Sequence, residues 1–205
     1  MQRFPFLQAL APVLGADALV VAASYTGREW VHLRPGDGNI RTRTLGLTSS
    51  MALGIALELP HRTVVALDTD GAFLMNLCGL PTIARVRPGN FLHVVFDNGV
   101  YEASGGQSTA SNVADLVAVA KAAGYPRALW VSSPEEMARE AAGAIEAREL
   151  TLLGAKIETG GADVPEFHIP EVEMKFRFIR HIERTEKRSI LSVWSATPDG
   201  RSKSR

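Results

Sequence analysis

The sequence predicts a single three-layer α/β domain, in which a mostly parallel six-stranded sheet carries helices on both faces. The apolar run at 17–24 is continuous rather than alternating, which is typical of a strand buried on both faces, and 62–68 and 91–97 are further strands of this kind. Segments with helical spacing separate these runs, and such alternation of strands and helices is typical of parallel sheets. With 205 residues, of which 46% are apolar, the chain suits one domain with a well-packed core.

Each element of the first half has a local signal in the sequence. Gly15 ends the first helix, and Gly and Pro in the segment RPGDGN mark a turn. Thr48 or Ser49 is the expected N-cap of the next long helix. In chain order, the predicted elements are a helix (4–14), a strand (17–24), a loop with a short helix (25–33), a turn (34–39), a short strand (41–45), a helix (48–59) and a central strand (62–68).

The second half continues the alternation. Pro81 interrupts a helical segment, and Gly and Ser make the stretch after the next strand a long loop. Ser133, Pro134 and Glu136 form a capping box with proline at the first helical position. The predicted elements are a helix (72–86), a strand (91–97), a loop (98–109), a helix ended by Gly124 (113–124), a strand (128–133), a helix (134–148), a strand (150–158) and a helix (170–184). Residues 1–184 therefore form the domain, and 185–205 are expected to be a loosely ordered tail.

Composition excludes several classes of protein. Lys and Arg (22) balance Asp and Glu (22), which argues against a nucleic-acid-binding surface. No apolar run reaches the ~20 residues that span a bilayer, and Pro5 and Pro12 interrupt any signal-peptide core. Cys78 is the sole cysteine, so no intrachain disulfide is possible. We therefore expect a cytoplasmic protein in which Cys78 is a small buried residue.

Polar residues follow three of the predicted strands. Thr26, Asp70 and Asn98 all come after strands, and ligands bind at the carboxyl ends of strands in such sheets. The segment ALDTDGAFLMN places Asp68 two residues before Asp70. Three interpretations of these acids compete: a turn with Asp68 as a cap, a phosphoryl-transfer site, and a metal site.

The phosphoryl-transfer interpretation rests on an apolar strand that ends in Asp-x-Asp-Gly. This pattern resembles the first motif of haloacid dehalogenase-type phosphohydrolases, with Asp68 as nucleophile and Asp70 as general acid. That motif normally lies on the first strand, and the later acidic pair that holds Mg²⁺ is missing here. The alternative therefore leaves more of the sequence unexplained.

The metal interpretation uses Asp70 and Asn98, which lies 28 residues further along the chain. One strand–helix–strand unit separates them, so they follow neighbouring strands at the same edge. A carboxylate, an amide oxygen and a backbone carbonyl are hard oxygen ligands of the kind that Mg²⁺ prefers. Backbone N–H groups after Gly71 would face an anion, such as a diphosphate, that is bound to this metal. Together these features predict a site for a metal and a diphosphate.

DTDGAFLMNL followed by FDNGVY resembles the binding motif of thiamine diphosphate enzymes, which implies a thiamine diphosphate-binding fold. The resemblance implies that Asp70, Asn98 and the carbonyl of Val100 bind Mg²⁺. Thr69 stands where the motif begins with glycine. LGLTSSMALGIALEL, DNGVYEASGGQST and GGADVP extend the resemblance to the sulfopyruvate decarboxylase β subunit and phosphonopyruvate decarboxylase family.

Further site residues follow from this resemblance. Leu45 is expected to support the bent cofactor, although it also fits an ordinary core leucine. Glu102 is the catalytic candidate that would face the substrate, or else a solvated loop residue. Arg28 would meet an anionic substrate or only solvent. The expected cofactor-binding residues are Ser24, Thr26, Gly27, Leu45, Gly46, Asp70, Gly71, Ala72, Asn98, Val100 and Tyr101.

The resemblance also implies a reaction and a partner. The thiamine diphosphate carbanion would attack a small anionic 2-oxo acid, and CO₂ would then leave. In this family a glutamate on a separate pyrimidine-binding domain activates the cofactor, and we expect that domain on another subunit, in a homo- and hetero-oligomer. Asp68 would then be structural, as a cap or loop organiser. A non-catalytic α/β subunit is the remaining alternative, and packing is the expected role of His93.

Overall fold

A computed structural model describes residues 1–166 and 168–190. The strands are β1 (Leu19–Ala23), β2 (Asn39–Thr42), β3 (Val64–Thr69), β4 (Phe91–Asp97), β5 (Val100–Tyr101), β6 (Gln107–Ser108), β7 (Arg127–Val131) and β8 (Thr151–Lys156). The helices are α1 (Arg3–Leu10), α2 (Ser24–Leu33), α3 (Thr48–Glu58), α4 (Asp70–Leu74), α5 (Gly79–Val86), α6 (Leu116–Ala122), α7 (Pro134–Ala147) and α8 (Glu171–Glu186).

The main sheet confirms the predicted fold class. Its six strands lie in the order β2-β1-β3-β4-β8-β7, and every neighbouring pair is parallel. All seven residues of β4 are buried, as expected for a central strand covered on both faces. β1, β3 and β4 are neighbours, so their carboxyl ends meet at one place on the sheet edge.

Two apolar cores lie on opposite faces of this sheet. Alternate residues of β3 point to different sides, so that Val64 and Ala66 join one core while Val65 and Leu67 join the other. The first core contains buried residues of α3, α5, α6 and α8, and the second contains those of α1 and α7. This arrangement forms the three layers that the sequence predicts.

Several element boundaries differ from the predictions. α2 begins at Ser24, directly after β1, so the expected loop before it is wrong. β2 lies at Asn39–Thr42 rather than at 41–45. Thr48 and Ser49 are buried residues inside α3 rather than caps. The N-cap of α3 is Leu47, whose apolar side chain cannot accept a hydrogen bond. The start of α3 therefore has no side-chain cap.

The helix predicted over 72–86 is two helices, α4 and α5. The break falls at 75–78, not at Pro81, which lies in the first turn of α5 where proline is tolerated. Asn76 sits in this break, and its Nδ2 donates to the carbonyl oxygen of Gly46 at 2.6 Å. Cys78 is exposed here, so the prediction of a buried cysteine is wrong.

The segment predicted as a loop at 98–109 contains a small hairpin. β5 and β6 pair antiparallel, and Gly105 and Gly106 between them have φ angles of 124° and 75°. Only glycine adopts such angles easily, and this accounts for the two consecutive glycines. The hairpin folds back over the carboxyl end of the sheet.

The later boundaries follow their caps. Asp115 accepts bonds from the N–H groups of Val117 and Ala118, so α6 begins at Leu116 rather than at 113. The predicted cap Ser133 accepts a bond from the N–H of Glu136 at 3.2 Å. α8 continues to Glu186, and the rest of the predicted tail, 191–205, lies outside the described residues. None of the described helices has the length and apolar character needed to cross a membrane.

Candidate functional site

A cleft opens at the carboxyl edge of β1, β3 and β4. α2 begins directly after β1 and α4 directly after β3, so the chain turns at this edge without an intervening loop. The cleft has a volume of about 230 Å³. Open parallel sheets bind ligands at this kind of edge. Seven of the predicted site residues line the cleft, namely Ser24, Leu45, Gly71, Asn98, Val100, Tyr101 and Glu102.

Asp70 is the first residue of α4, and it is 1% exposed. Its Oδ2 accepts a hydrogen bond from Thr109 Oγ1 at 2.5 Å, and Ser111 Oγ lies 3.3 Å from the same oxygen. Burial raises the pKa of Asp70 above its ordinary value of 3.8, and the bond from Thr109 partly opposes this shift. Among the residues that the structure describes, no basic side chain forms an ion pair with Asp70. A buried carboxylate without such a partner is costly, so the position suits a bound cation.

A second buried acid lies beside Asp70. Ser111 Oγ is 3.3 Å from Asp70 Oδ2 and donates to Asp97 Oδ1 at 2.7 Å, so its hydroxyl lies between the two carboxylates. The other oxygen of Asp97 pairs with the ammonium of Lys156. Within the described residues, Asp97 therefore has a cationic partner and Asp70 has none. The sequence reasoning missed Asp97, Thr109 and Ser111 as parts of the site, although Asp97 and Thr109 lie in the quoted DNGVYEASGGQST motif.

Asn98 and Val100 follow β4 beside the start of α4. The Nδ2 of Asn98 donates to Glu102 Oε2 at 3.3 Å, and its Oδ1 accepts from the N–H of Val100 at 3.1 Å. These bonds fix the orientation of the amide, with its oxygen toward Val100. An amide oxygen has two lone pairs, so this bond leaves capacity for a second interaction.

Gly71 allows an aromatic ring to contact the start of α4. A Cβ at this position would lie 2.4 Å from Cε1 of Tyr101, a separation that real atoms do not adopt. Thr69, the N-cap of α4, accepts a bond from the N–H of Ala72 at 3.4 Å. Its φ of −124° is ordinary extended backbone. The backbone at Thr69 therefore does not require the glycine that the motif normally has there.

Leu45 lines the cleft, whereas Gly46, the next residue, is buried and does not border it. Leu45 is half-buried. Gly46 has a φ of 84°, and a Cβ there would lie 3.3 Å from Cβ of Met75. Asn76 Nδ2 donates both to the carbonyl oxygen of Gly46 and to Ser50 Oγ, at 2.6 and 2.8 Å. The break between α4 and α5 therefore holds the turn that presents Leu45.

The start of α2 brings only part of its predicted set to the cleft. Ser24 lines the cleft with a φ of 37°, which is uncommon for a residue other than glycine. Thr26 is buried behind it, and its hydroxyl has no hydrogen-bond partner within the described residues. Gly27 lies beneath the aliphatic stem of Arg41. Ala72 is fully buried, and neither Ala72 nor Gly27 is among the residues that line the cleft.

Two glutamates tie the segment after β8 to the site. Glu102 is half-buried in a short 3-10 turn, and its Oε1 accepts a bond from the N–H of Gly160. Glu29 accepts a bond from the N–H of Ala162 at 2.8 Å and pairs with Arg3 at 2.7 Å. Arg3 is 2% exposed and also borders the cleft. Arg3 was missed because nothing near it in the sequence marks it as a site residue.

Asp68 lies inside β3 rather than at a helix cap. It is 1% exposed, and its Oδ1 accepts a bond from the N–H of Thr69 at 3.0 Å. Its Oδ2 is 3.4 Å from His93 Nε2, and His93 Nδ1 is 3.1 Å from the hydroxyl of Tyr125. Burial raises the pKa of Tyr125, so its hydroxyl stays protonated. The expected cap is therefore wrong, and the burial of Asp68 leaves the phosphohydrolase alternative without an exposed nucleophile.

Comparison with known families matches most of this fold to one description. Residues 21–155 match the family "Thiamine pyrophosphate enzyme, C-terminal TPP binding domain". The match runs from β1 to β8 and so includes the strands and helices that form the cleft, except α1.

Relatives and a solved structure agree with this match. Phosphonopyruvate decarboxylase of Streptomyces hygroscopicus is 36% identical over 82% of this chain and 43% of its own length. Sulfopyruvate decarboxylase subunit beta of Methanothermobacter thermautotrophicus is 31% identical over 89% of this chain and 96% of its own. Benzoylformate decarboxylase of Polynucleobacter necessarius shares the fold, with a TM-score of 0.66 at 20% identity over 77% of this chain and 33% of that one. The chain thus spans less than half of the Streptomyces relative.

Proposed function

The chain belongs to the family of thiamine pyrophosphate enzymes, with their C-terminal TPP binding domain, and we propose that it is the diphosphate- and Mg²⁺-binding subunit of a 2-oxo acid decarboxylase. The observation that carries this proposal is Asp70. It is a buried carboxylate at the cofactor edge of the sheet, and no described basic side chain neutralises it.

The residues at this edge fit Mg²⁺ and the cofactor. The carboxylate of Asp70, the amide oxygen of Asn98 and the carbonyl oxygen of Val100 are hard ligands from neighbouring strand ends. The hydroxyl of Thr26, which lacks a partner among the described residues, adds a polar group near the same edge. A divalent cation there would offset the cost of burying Asp70.

Thiamine diphosphate, when bound, supplies an electron sink for loss of CO₂ from a 2-oxo acid. In our proposal the chain's own residues hold and shield it. Asp70, Asn98 and Val100 would hold the metal, and Leu45, which lines the cleft, would support the cofactor. Tyr101 packs on Gly71 and covers the start of α4. Glu102, fixed by Asn98 and Gly160, faces the substrate space.

The proposal includes a separate pyrimidine-binding subunit that supplies the activating glutamate. Exposed apolar side chains near the cleft support it, since Leu47 is 47% and Met75 56% exposed. Met75 lies against Gly46, so this apolar surface adjoins the cleft wall. Large exposed apolar patches are typical of interaction sites. Relatives named subunit beta agree with such an assembly. We further propose that the protein works in the cytoplasm as a hetero-oligomer.

The substrate proposed is a small 2-oxo acid with a second anionic group, as in the names of the sulfopyruvate and phosphonopyruvate relatives. The test is CO₂ release from pyruvate, sulfopyruvate and phosphonopyruvate, with Mg²⁺ and thiamine diphosphate, with and without the pyrimidine-binding partner. We expect turnover only with the partner, because the partner would supply the glutamate that activates the cofactor. Proton transfer by a positioned side chain typically raises the rate by about 10²–10⁴-fold. Turnover by this chain alone, free of partner, would contradict the division of labour. No turnover with any partner, despite cofactor binding, would favour the non-catalytic alternative.

A further inference from the structure

We infer that a cavity lined by Arg28, Arg41 and Arg43 binds the second anionic group of the substrate, a tetrahedral oxyanion such as a phosphonate or sulfonate. This inference rests on the proposed function and assigns the residues that would select its substrate. The cavity has a volume of about 380 Å³. It is separate from the metal ligands, since none of Asp70, Asn98 and Val100 borders it.

The cavity adjoins the cofactor cleft. Ser24, Tyr25, Arg43 and Ala103 line both spaces, so a small molecule could extend from one into the other. Ala103 follows Glu102, the residue proposed to face the substrate. The shared wall therefore connects the reacting end of a short 2-oxo acid with the three arginines.

Positive charge dominates this cavity. Three guanidinium groups line it, and Glu166 is the one acid among its described lining residues. Arg28 stacks over the ring of Tyr25, with its Cζ 5.8 Å from the ring centroid. The Nε of Arg28 is buried and has no hydrogen-bond partner in the described part of the chain. A buried donor without a partner is costly, so a ligand oxygen at this position would stabilise it.

Arg41 is held in this cavity by the chain around it. Its stem crosses Gly27, where a Cβ would lie 2.6 Å from the Cγ of Arg41. Burial lowers the pKa of Arg41, and the neighbouring charges of Arg43 and Arg28 lower it further. Like charges gathered in a partly buried space repel one another, and a bound anion would relieve that repulsion. Gly27 does not line the cavity, but its lack of a side chain leaves room for the stem of Arg41.

Glu171 and Glu166 limit this positive charge. Arg43 is exposed and pairs with Glu171 at 2.7 Å, so its guanidinium is only partly available. Arg28 and Arg41 are the less exposed pair and carry most of the assignment. Planar guanidinium groups match the oxygens of phosphonates and sulfonates with two parallel bonds, which lysine cannot do.

The test is calorimetric binding of unreactive substrate mimics to the full chain. The probes are 3-phosphonopropionate, 3-sulfopropionate, succinate and butyrate, and binding of thiamine diphosphate with Mg²⁺ is measured on the same samples. We expect the phosphonate and the sulfonate to bind better than butyrate. Arg28→Gln and Arg41→Gln should each weaken the binding of 3-phosphonopropionate by about tenfold, the usual scale for a charged hydrogen bond. Glu166→Gln should strengthen it, and Arg139→Gln on α7 should have no effect.

The outcomes separate the two proposals. If the wild-type chain binds the cofactor but no dianion, or if Arg28→Gln binds 3-phosphonopropionate as wild type does, the anion site is wrong. Equal weakening of cofactor and probe by Arg28→Gln would mean that the arginines hold the diphosphate, which also overturns the inference. Failure of the wild-type chain to bind the cofactor contradicts the proposed function itself. Preference for succinate over both other dianions would contradict a tetrahedral oxyanion.

Discussion

Asp70 has a structural cost, because its charge is buried and has no basic partner among the described residues. Its pKa is raised by burial, so folding favours the protonated carboxyl. The stability that protonation contributes is complete below the ordinary value of 3.8 and is lost as the pH rises through the raised pKa. At neutral pH without metal, the ionised carboxylate therefore destabilises the fold.

Asp70→Asn should stabilise the metal-free chain at pH 7 by about 1 kcal/mol, as often happens when a functional residue is removed. Urea unfolding in EDTA, measured at several pH values, checks this. The gain should shrink as the pH falls and vanish below about 3.8, the ordinary value for the carboxyl. The same variant should lose stabilisation by Mg²⁺ with thiamine diphosphate. An Asn variant that is less stable than wild type at pH 7 in EDTA would contradict this role.

Gly71→Ala tests the contact between α4 and the hairpin. The new Cβ would lie 2.4 Å from the ring of Tyr101, so the ring and β5 must move. We expect a loss of about 1–3 kcal/mol of stability, the usual cost of overpacking, and weaker cofactor binding. Gly143→Ala on α7 is the matched control, because a Cβ there meets nothing within 4 Å. Equal effects of the two substitutions would mean that the contact with Tyr101 has no special role.

At the residue scale, local sequence patterns predicted some residues of the candidate site and missed others. Asp70, Gly71 and Asn98 stand at strand ends in a recognisable spacing, so they could be proposed from the sequence. Arg3 and Ser111 could not, because they reach the site only through the packing of α1 and of the turn after β6. The prediction that Cys78 is buried was wrong. Its sequence neighbours are apolar, but Cys78 lies at an exposed break between helices.

At the element scale, the break between α4 and α5 is the feature that orders the wall of the cleft. Asn76 bonds from this break to Gly46 and Ser50. Helical spacing over 72–86 did not reveal it, and the bonds of Asn76 reach residues that are distant in the sequence. The strands were better predicted, since continuous apolar runs depend only on burial by both layers. Some boundaries differ from the predicted ones. The start of α2 differs because the chain passes directly from β1 into α2 without a loop.

Asn76 does not line the cleft, but Asn76→Ala should still weaken cofactor binding. Loss of two hydrogen bonds should cost about 1–3 kcal/mol of stability. It should also free the turn at Gly46, so that Leu45 no longer supports the cofactor. Calorimetry with thiamine diphosphate and Mg²⁺ measures the effect, and Asn112→Ala, at an exposed site, is the control. Cofactor affinity equal to that of wild type would show that the turn at Gly46 does not depend on Asn76.

At the scale of the whole molecule, the open cleft and the apolar side chains beside it suit a partner surface. Met75→Glu places a charge on a side chain that is 56% exposed, so the fold should be retained. We expect this variant to bind thiamine diphosphate normally but to lose assembly with the pyrimidine-binding subunit, measured by analytical ultracentrifugation. Arg180→Glu on the exposed part of α8 is the control for added charge. Normal assembly of Met75→Glu would place the partner on another surface.

The central claim is that Asp70 holds Mg²⁺ for the diphosphate of the cofactor. The direct measurement is the melting temperature of the chain with thiamine diphosphate and Mg²⁺, with EDTA, and as Asp70→Ala. At a hundredfold excess over Kd, binding adds about 2.7 kcal/mol, or roughly 5–10 °C for a chain of this size. We predict this shift for wild type, none in EDTA, none for Asp70→Ala, and a nearly normal shift for Asp68→Asn. A shift that survives EDTA or Asp70→Ala, or that is lost with Asp68→Asn alone, would contradict the account.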